Sequence, residues 1–165
     1  ALGLVERALA KDDIAVTVDV PAELPFVRCR SQQIRQVYLN LLTNARDALN
    51  ARFPDGDGDG AKKLLITARP FGAPGSAGIR TTIEDHGVGI TPDQIKRVFD
   101  PFYTTKPRTK GTGLGLAVSH GIIAEHGGQM FVESDPGRWT RFHVDLLVDG
   151  GTKEPDGQGP ADEAL

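Results

Sequence analysis

Three observations predict an α/β domain. A one-sided apolar periodicity runs from Gln32 to about Arg52, alternating segments pair up as two hairpins, and a glycine-rich stretch, Gly111-Thr112-Gly113-Leu114-Gly115-Leu116, feeds a further helix. With 165 residues, 39% of them hydrophobic, the chain can bury one sizeable core, so one domain is expected.

Residues 1–12 carry a short helix-like pattern (Leu2, Val5, Leu9) with no initiating methionine, as expected for the remnant of an upstream helix or linker; the domain itself is assigned to 13–148. Ile14 to Val20 alternates apolar and polar residues and stops at Pro21, the mark of a strand, and Phe26 to Cys29 reads as a second, short one. Ser31 is the expected N-cap of the long helix. Along that helix, at roughly 100° per residue, Ile34, Val37, Tyr38, Leu41, Leu42, Ala45, Ala48 and Leu49 share one face. Gln33, Gln36, Asn40, Asn44 and Asp47 form a narrow polar stripe beside it. Such stripes are commonly just solvated. Asparagine is nevertheless a poor helix former, and Asn40 and Asn44 stand one turn apart in mid-helix, where Glu or Lys would serve solvation better. Carboxamide oxygens are hard, neutral ligands suited to Mg²⁺, which keeps several waters and takes few protein ligands beside nucleotide phosphates.

Asp55-Gly56-Asp57-Gly58-Asp59-Gly60 imitates the opening of a calcium loop, but the position that requires a bidentate Glu holds Ile66, so the stretch reads as a solvated acidic turn. Leu64 to Arg69 and Ile79 to Glu84 form the first hairpin. Its second strand runs into Asp85-His86-Gly87-Val88-Gly89-Ile90. An acid at a strand end followed by two glycines is either a plain turn or a place where backbone bends closely round a planar ligand while the carboxylate accepts a hydrogen bond from an exocyclic amine. Thr91, Pro92 and Gln94 form a capping box with proline at the first helical position. Ile95, Val98 and Phe99 then lead into Asp100-Pro101-Phe102-Tyr103, an aromatic cluster that either plugs the core or anchors one hinge of a mobile loop.

In Gly111 to Leu116 the alternate glycines free the backbone and leave no Cβ to block a ligand, and Leu114, Ala117, Val118, Gly121 and Ile122 follow at helical spacing. The first N–H groups of a helix lack internal partners and sit at the positive end of its dipole, so such a loop suits an anion, most often phosphate. Lys106, Arg108 and Lys110 stand just before it. No lysine follows the glycines as a P-loop requires, and no strand leads into them as a dinucleotide fingerprint requires. Alone, the pattern is equally that of an ordinary flexible loop. The helix is expected to end near His126 at Gly127 and Gly128; Gln129 to Ser134 and Thr140 to Leu147 close a second hairpin across Asp135-Pro136-Gly137. Residues 149–165 are Gly, Pro and acid, the composition of a disordered tail.

A net charge of −3 and basic residues clustered only at Lys106 to Lys110 argue against a nucleic-acid or anionic-membrane surface. A single cysteine, Cys29, excludes an internal disulfide and a thiolate metal cluster and fits a reducing compartment. No apolar run approaches the ~18 residues of a spanning helix, so a soluble, cytoplasmic domain without direct membrane contact is expected, either free or as the cytoplasmic part of a membrane-bound protein.

Four motifs thus lie in one order: Asn40-Leu41-Leu42-Thr43-Asn44-Ala45, Asp85-x-Gly87-x-Gly89-Ile90, Phe99-Asp100-Pro101-Phe102 and Gly111-Thr112-Gly113-Leu114-Gly115-Leu116. Together, over roughly Ile14 to Val148, they resemble the ATP-binding catalytic domain of bacterial sensor histidine kinases, within the group that includes gyrase, Hsp90 and MutL. Asn44-Ala45-Arg46-Asp47-Ala48 and Phe102-Tyr103-Thr104-Thr105-Lys106 look most like the nitrogen-regulation-type branch. The resemblance implies a two-layer α/β sandwich, a mixed, mostly antiparallel sheet covered on one face by about three helices, with ATP beneath a flexible lid. It implies that Asp85 binds the adenine amine, that Gly87 and Gly89 let the base approach, and that Ile90 walls the pocket. Asn44 and Asn40 would reach Mg²⁺ and the phosphates, with Asp47 on the same stripe. Gly111, Thr112, Gly113, Leu114, Gly115 and Leu116 would wrap the triphosphate, Lys106 would be a phosphate partner, Thr140 would lie near the adenine, and Phe99 and Phe102 would set the lid's hinge.

The implied activity is transfer of the γ-phosphate of ATP, leaving ADP, to a histidine on a separate dimerisation domain, with a response-regulator receiver downstream. None of His86, His120, His126 and His143 is followed by an acidic residue as that acceptor usually is, so all four read as structural and the piece alone is expected to be monomeric and unable to autophosphorylate. The alternatives are a gyrase- or Hsp90-like ATPase and a non-catalytic nucleotide-binding scaffold. One departure stands out: where the family often has G-x-G-T-x-F, this chain has Gly137-Arg138-Trp139-Thr140-Arg141-Phe142.

Overall fold

A five-stranded sheet carries the molecule. The computed structural model describes residues 2–54, 56, 61–72, 77–107 and 111–148; Arg108, Lys110, the acidic turn apart from Gly56, and the 149–165 tail lie outside the described residues. In chain order the elements are α1 (Leu2–Lys11), β1 (Ala15–Asp19), α2 (Ser31–Arg52), β2 (Lys63–Phe71), β3 (Gly78–Asp85), the single turn α3 (Pro92–Ile95), α4 (Gly115–Glu125), β4 (Gln129–Asp135) and β5 (Trp139–Leu147). The strand order is β1-β2-β3-β5-β4, with β1 parallel to β2 and every other pairing antiparallel. This is the mixed α/β sandwich that the sequence predicts.

Strand alternation decides the two faces. Leu64, Ile83, Met130, Phe142, Val144 and Leu146 point to one side, where they join Ile34, Val37, Leu41, Leu42, Ala45 and Leu49 of α2 and Ile122 and Ile123 of α4 in a single core. The other side carries paired charges: Arg80 with Asp145 at 2.7 Å, and Arg141 with Glu84 at 2.6 Å. The α2 periodicity is therefore a burial pattern, with Val37 and Leu49 fully enclosed. Leu9 of α1 is also in the core, and Asp12 just beyond it receives Arg46 and Asn50 of α2. The Arg46 hydrogen bond holds the Asp12 carboxyl below the usual carboxylate range.

Two expectations are corrected. Residues Phe26 to Cys29 form no strand: they run unpaired between β1 and α2, and Phe26 is 95% exposed. Pro21 and Pro25 remove backbone donors here, so an apolar residue or two in this stretch does not make a ladder. Ser31 is not the cap of α2 but its first helical residue. The cap is Arg30, whose carbonyl accepts from Gln33 and Ile34 and whose N–H donates to His126 Nε2 at 3.1 Å. By contrast the Thr91 capping box forms as expected, with both reciprocal bonds and Pro92 behind it. Trp139 stands at the start of β5, where Arg141 lies over its ring at 4.3 Å.

Candidate functional site

The long helix sets one wall. Asn40, Asn44 and Asp47, one turn or less apart on α2, stand beside its buried face and look toward the segment that leads into α4. Between them is a cleft of about 250 Å³, lined by Asn40, Asn44, Asp47, Lys106, Gly111 to Gly113, Gly115 and Leu116. It continues into a larger one of about 850 Å³ bordered by Asp85, Val88, Gly89, Ile90, Thr140 and Phe142. Asn44, Asp47, Lys106 and Leu116 border both. Lys106 crosses the waist: its Nζ donates to Asn44 Oδ1 at 2.9 Å and to Asp47 Oδ2 at 2.6 Å.

At the deep end Asp85 closes β3, 3% exposed, with Thr140 its partner across the ladder. Asp85 Oδ1 accepts the Gly87 N–H at 2.9 Å, too little to offset burial, which pushes the carboxyl up to about 7. Thr140 is 2% exposed, and its hydroxyl meets Ser134 Oγ at 3.1 Å, which in turn accepts the Ile90 N–H at 2.8 Å. A carboxyl and a hydroxyl therefore face a largely apolar hollow, an arrangement that selects a flat ligand with a polar edge.

At the other end α4 begins at Gly115, and Gly115 and Leu116 of its first turn line the smaller cleft, where a helix start leaves N–H groups without internal partners. Asn40 ties this end down: its Nδ2 donates to Gly115 O and Ser119 Oγ, both at 3.1 Å. Phe102 N–H donates to Gly113 O at 2.9 Å, which staples together the two ends of the intervening loop. Both residues sit at positive φ, +65° and +67°, and a Cβ at Gly113 would collide with the Phe102 carbonyl carbon. As to cations, Asn44 Oδ1 already receives one, the Lys106 ammonium. Among the described residues no group of three His, Cys, Asp or Glu could enclose a metal. Amide oxygens with one carboxylate fit a hard, hydrated ion that draws most of its ligands from water and phosphate.

Comparison with known proteins now decides the family. Residues 29–150 match the model of the histidine kinase-, DNA gyrase B- and HSP90-like ATPases. The chain belongs to that ATPase family. Within it, the relatives and solved structures it resembles are kinases of the histidine-kinase kind. Sporulation kinase E of Bacillus subtilis is 37% identical over 86% of the chain and 17% of its own length. The sensory histidine kinase/phosphatase NtrB of Rhizobium leguminosarum bv. phaseoli is 39% identical over 80% of the chain and 34% of its own length. The chain thus spans well under half of these curated relatives. Among solved structures, the nucleotide-free catalytic domain of histidine kinase ThkA superposes with a TM-score of 0.72 at 28% identity, covering 89% of this chain and 87% of that one. Full-length ShkA in complex with AMPPNP gives 0.67 at 26% identity, over 88% of this chain and 28% of that one.

Of the site residues expected for this ATPase family, Asn40, Asn44, Asp47, Asp85, Gly89, Ile90, Lys106, Gly111, Thr112, Gly113, Gly115, Leu116 and Thr140 line the two clefts. Gly87, Phe99, Phe102 and Leu114 do not. Gly87 is pressed against α2, where a Cβ would meet Ala48 at 2.6 Å, and Gly89 at φ +70° would meet Asp135 O at 2.5 Å. Both glycines thus admit the protein's own backbone. Phe99 packs on His120 at 4.9 Å and edge-on to Phe142 at 6.4 Å, whereas Phe102 is 75% exposed outside the cleft. Each histidine has a local partner: Glu84 for His86, Phe99 for His120, Ile122 O and Arg30 N–H for His126, and Thr82 for His143.

Proposed function

We propose that this domain binds Mg·ATP and hands its γ-phosphoryl group to a histidine on a separate, dimeric helical domain of a two-component sensor kinase, leaving ADP. The observation that carries this is convergence: the α2 amides and the start of α4 border one cleft whose far end holds a buried carboxyl. On this reading the adenine amine donates to Asp85 with Thr140 alongside, and Ile90 and Leu116 cover the ring. The phosphates lie under Gly111 to Leu116 against the first N–H groups of α4. Asn44 and Asn40 would hold Mg²⁺, which when bound neutralises phosphate charge. Lys106 leaves Asp47 for the terminal phosphate.

In the transfer the bond from the γ-phosphorus to the ADP oxygen breaks, ADP keeps the electron pair, and a phosphorus–nitrogen bond forms on the acceptor imidazole. That step needs positioning and charge neutralisation more than covalent help. The acceptor must reach the phosphate end, where Phe102, Leu114 and Val118 expose apolar surface at 75%, 37% and 41%. We place the helical domain there.

Asn40 argues against the gyrase- or Hsp90-like reading, in which a residue at this place takes a proton from water. Its amide is neutral, and its nitrogen is spent on Gly115 O and Ser119 Oγ, so it acts as a strut. The test is incubation of the chain with labelled ATP, alone and with a helical acceptor domain. Label should appear only on the added domain. Labelling of this chain's own histidines, or rapid phosphate release with no acceptor present, would overturn the proposal.

A further inference from the structure

The loop that carries the deep carboxyl is held by contacts outside the cleft. It crosses α2 at Ala48, whose carbonyl accepts the Val88 N–H at 3.3 Å, and Val88 O accepts the Gly137 N–H at 2.7 Å. One turn further along α2, Arg52 Nη1 donates to His86 O at 2.9 Å, Gly87 O at 3.3 Å and Arg138 O at 2.9 Å. His86 and Gly87 directly follow Asp85, and Arg138 closes the β4–β5 turn two residues before Thr140. One guanidinium therefore ties the end of the long helix to the two segments that present the carboxyl and the hydroxyl to the base. All three carbonyls converge on the one nitrogen Nη1, which the rigid, planar guanidinium holds in place with little freedom to lose.

We infer that Arg52 is a positioning residue for base recognition, acting at a distance by fixing Asp85 and Thr140 relative to α2. It lines neither cleft. The inference rests on the reading of Asp85 as the adenine contact. It implies that Arg52 governs discrimination between bases and not the grip on the phosphates.

The experiment is calorimetric titration of the folded chain with ATP and with inosine triphosphate, which carries a carbonyl in place of the amine, for wild type, Arg52→Met and Arg52→Lys. Wild type should prefer ATP. Arg52→Met should lose ATP affinity by about tenfold, the scale of one well-aimed hydrogen bond, while inosine triphosphate affinity stays within about twofold, so the preference collapses. Arg52→Lys, which keeps the charge on a flexible stem without the planar guanidinium, should fall between them for ATP alone. A merely structural role would lower the melting temperature and weaken both nucleotides equally, and that result, or unchanged ATP preference in Arg52→Met, would overturn the inference. A wild type that takes both nucleotides equally would instead remove the adenine reading beneath it.

Discussion

Asp85 is a carboxyl buried beside Glu84 with a single backbone donor, and burial pushes its pKa up to about 7. A carboxyl whose folded pKa lies above its ordinary value contributes stability that is complete below the ordinary pKa and is lost as pH rises through the folded one. Denaturant unfolding of wild type should therefore lose free energy as pH rises from about 4 to about 7, and level off above that, relative to Asp85→Asn, which has no proton to release there. Nucleotide binding runs the other way, because the proposed contact needs the carboxylate as acceptor. ATP affinity should rise with pH through about 7 with proton release, read as a dependence of binding heat on buffer ionisation enthalpy. Asp85→Asn should bind ATP more weakly by about 1–3 kcal/mol. A flat pH profile would contradict the assignment. Asp85 was legible in the sequence because an acid at a strand end before two glycines is an unusual thing to bury. Arg52 was not: at the end of an amphipathic helix it looks like any solvated arginine, and the carbonyls it collects are remote in sequence.

The decisive element is the segment from Phe102 to Gly113. Its ends are stapled by the Phe102–Gly113 backbone bond, and Lys106 spans the cleft from its middle. Gly113→Ala would have to place a Cβ at φ +67° against Phe102, at a cost of about 1–2 kcal/mol from conformation alone. Because this segment lies outside the sheet core, the melting temperature should move little while ATP affinity drops at least fivefold. Lys106→Met should weaken ATP more than ADP, since only ATP carries the terminal phosphate; equal loss for both would place the lysine elsewhere. Here legibility was uneven. The helix α2 declared itself because its periodicity is sustained over 22 residues. Phe26 to Cys29 was misread because a few apolar residues cannot reveal whether a neighbouring strand edge receives them. That Gly87 and Gly89 accommodate Ala48 and Asp135 could not be seen without the tertiary contacts.

At the scale of the whole molecule, the sheet fixes where the helices stand, and the helices fix the trough. No described helix is long and apolar enough to cross a membrane. The fold as a class was readable from the order of strands and helices, whereas the division of the trough by one lysine was not, because it depends on which side chains meet across 59 residues of sequence. If the exposed apolar residues beside the phosphate end receive the helical acceptor, Val118→Lys should cut phosphotransfer to that domain severalfold without changing ATP affinity; a parallel loss of both would refute this placement. The account stands on amides and helix start converging on one triphosphate. Its most direct test is calorimetric titration of the chain with ATP, with and without Mg²⁺, for wild type, Asn44→Ala and Gly113→Ala. Saturable binding strengthened by Mg²⁺ and weakened by both substitutions is the result expected. No uptake by correctly folded wild type at millimolar nucleotide would contradict it.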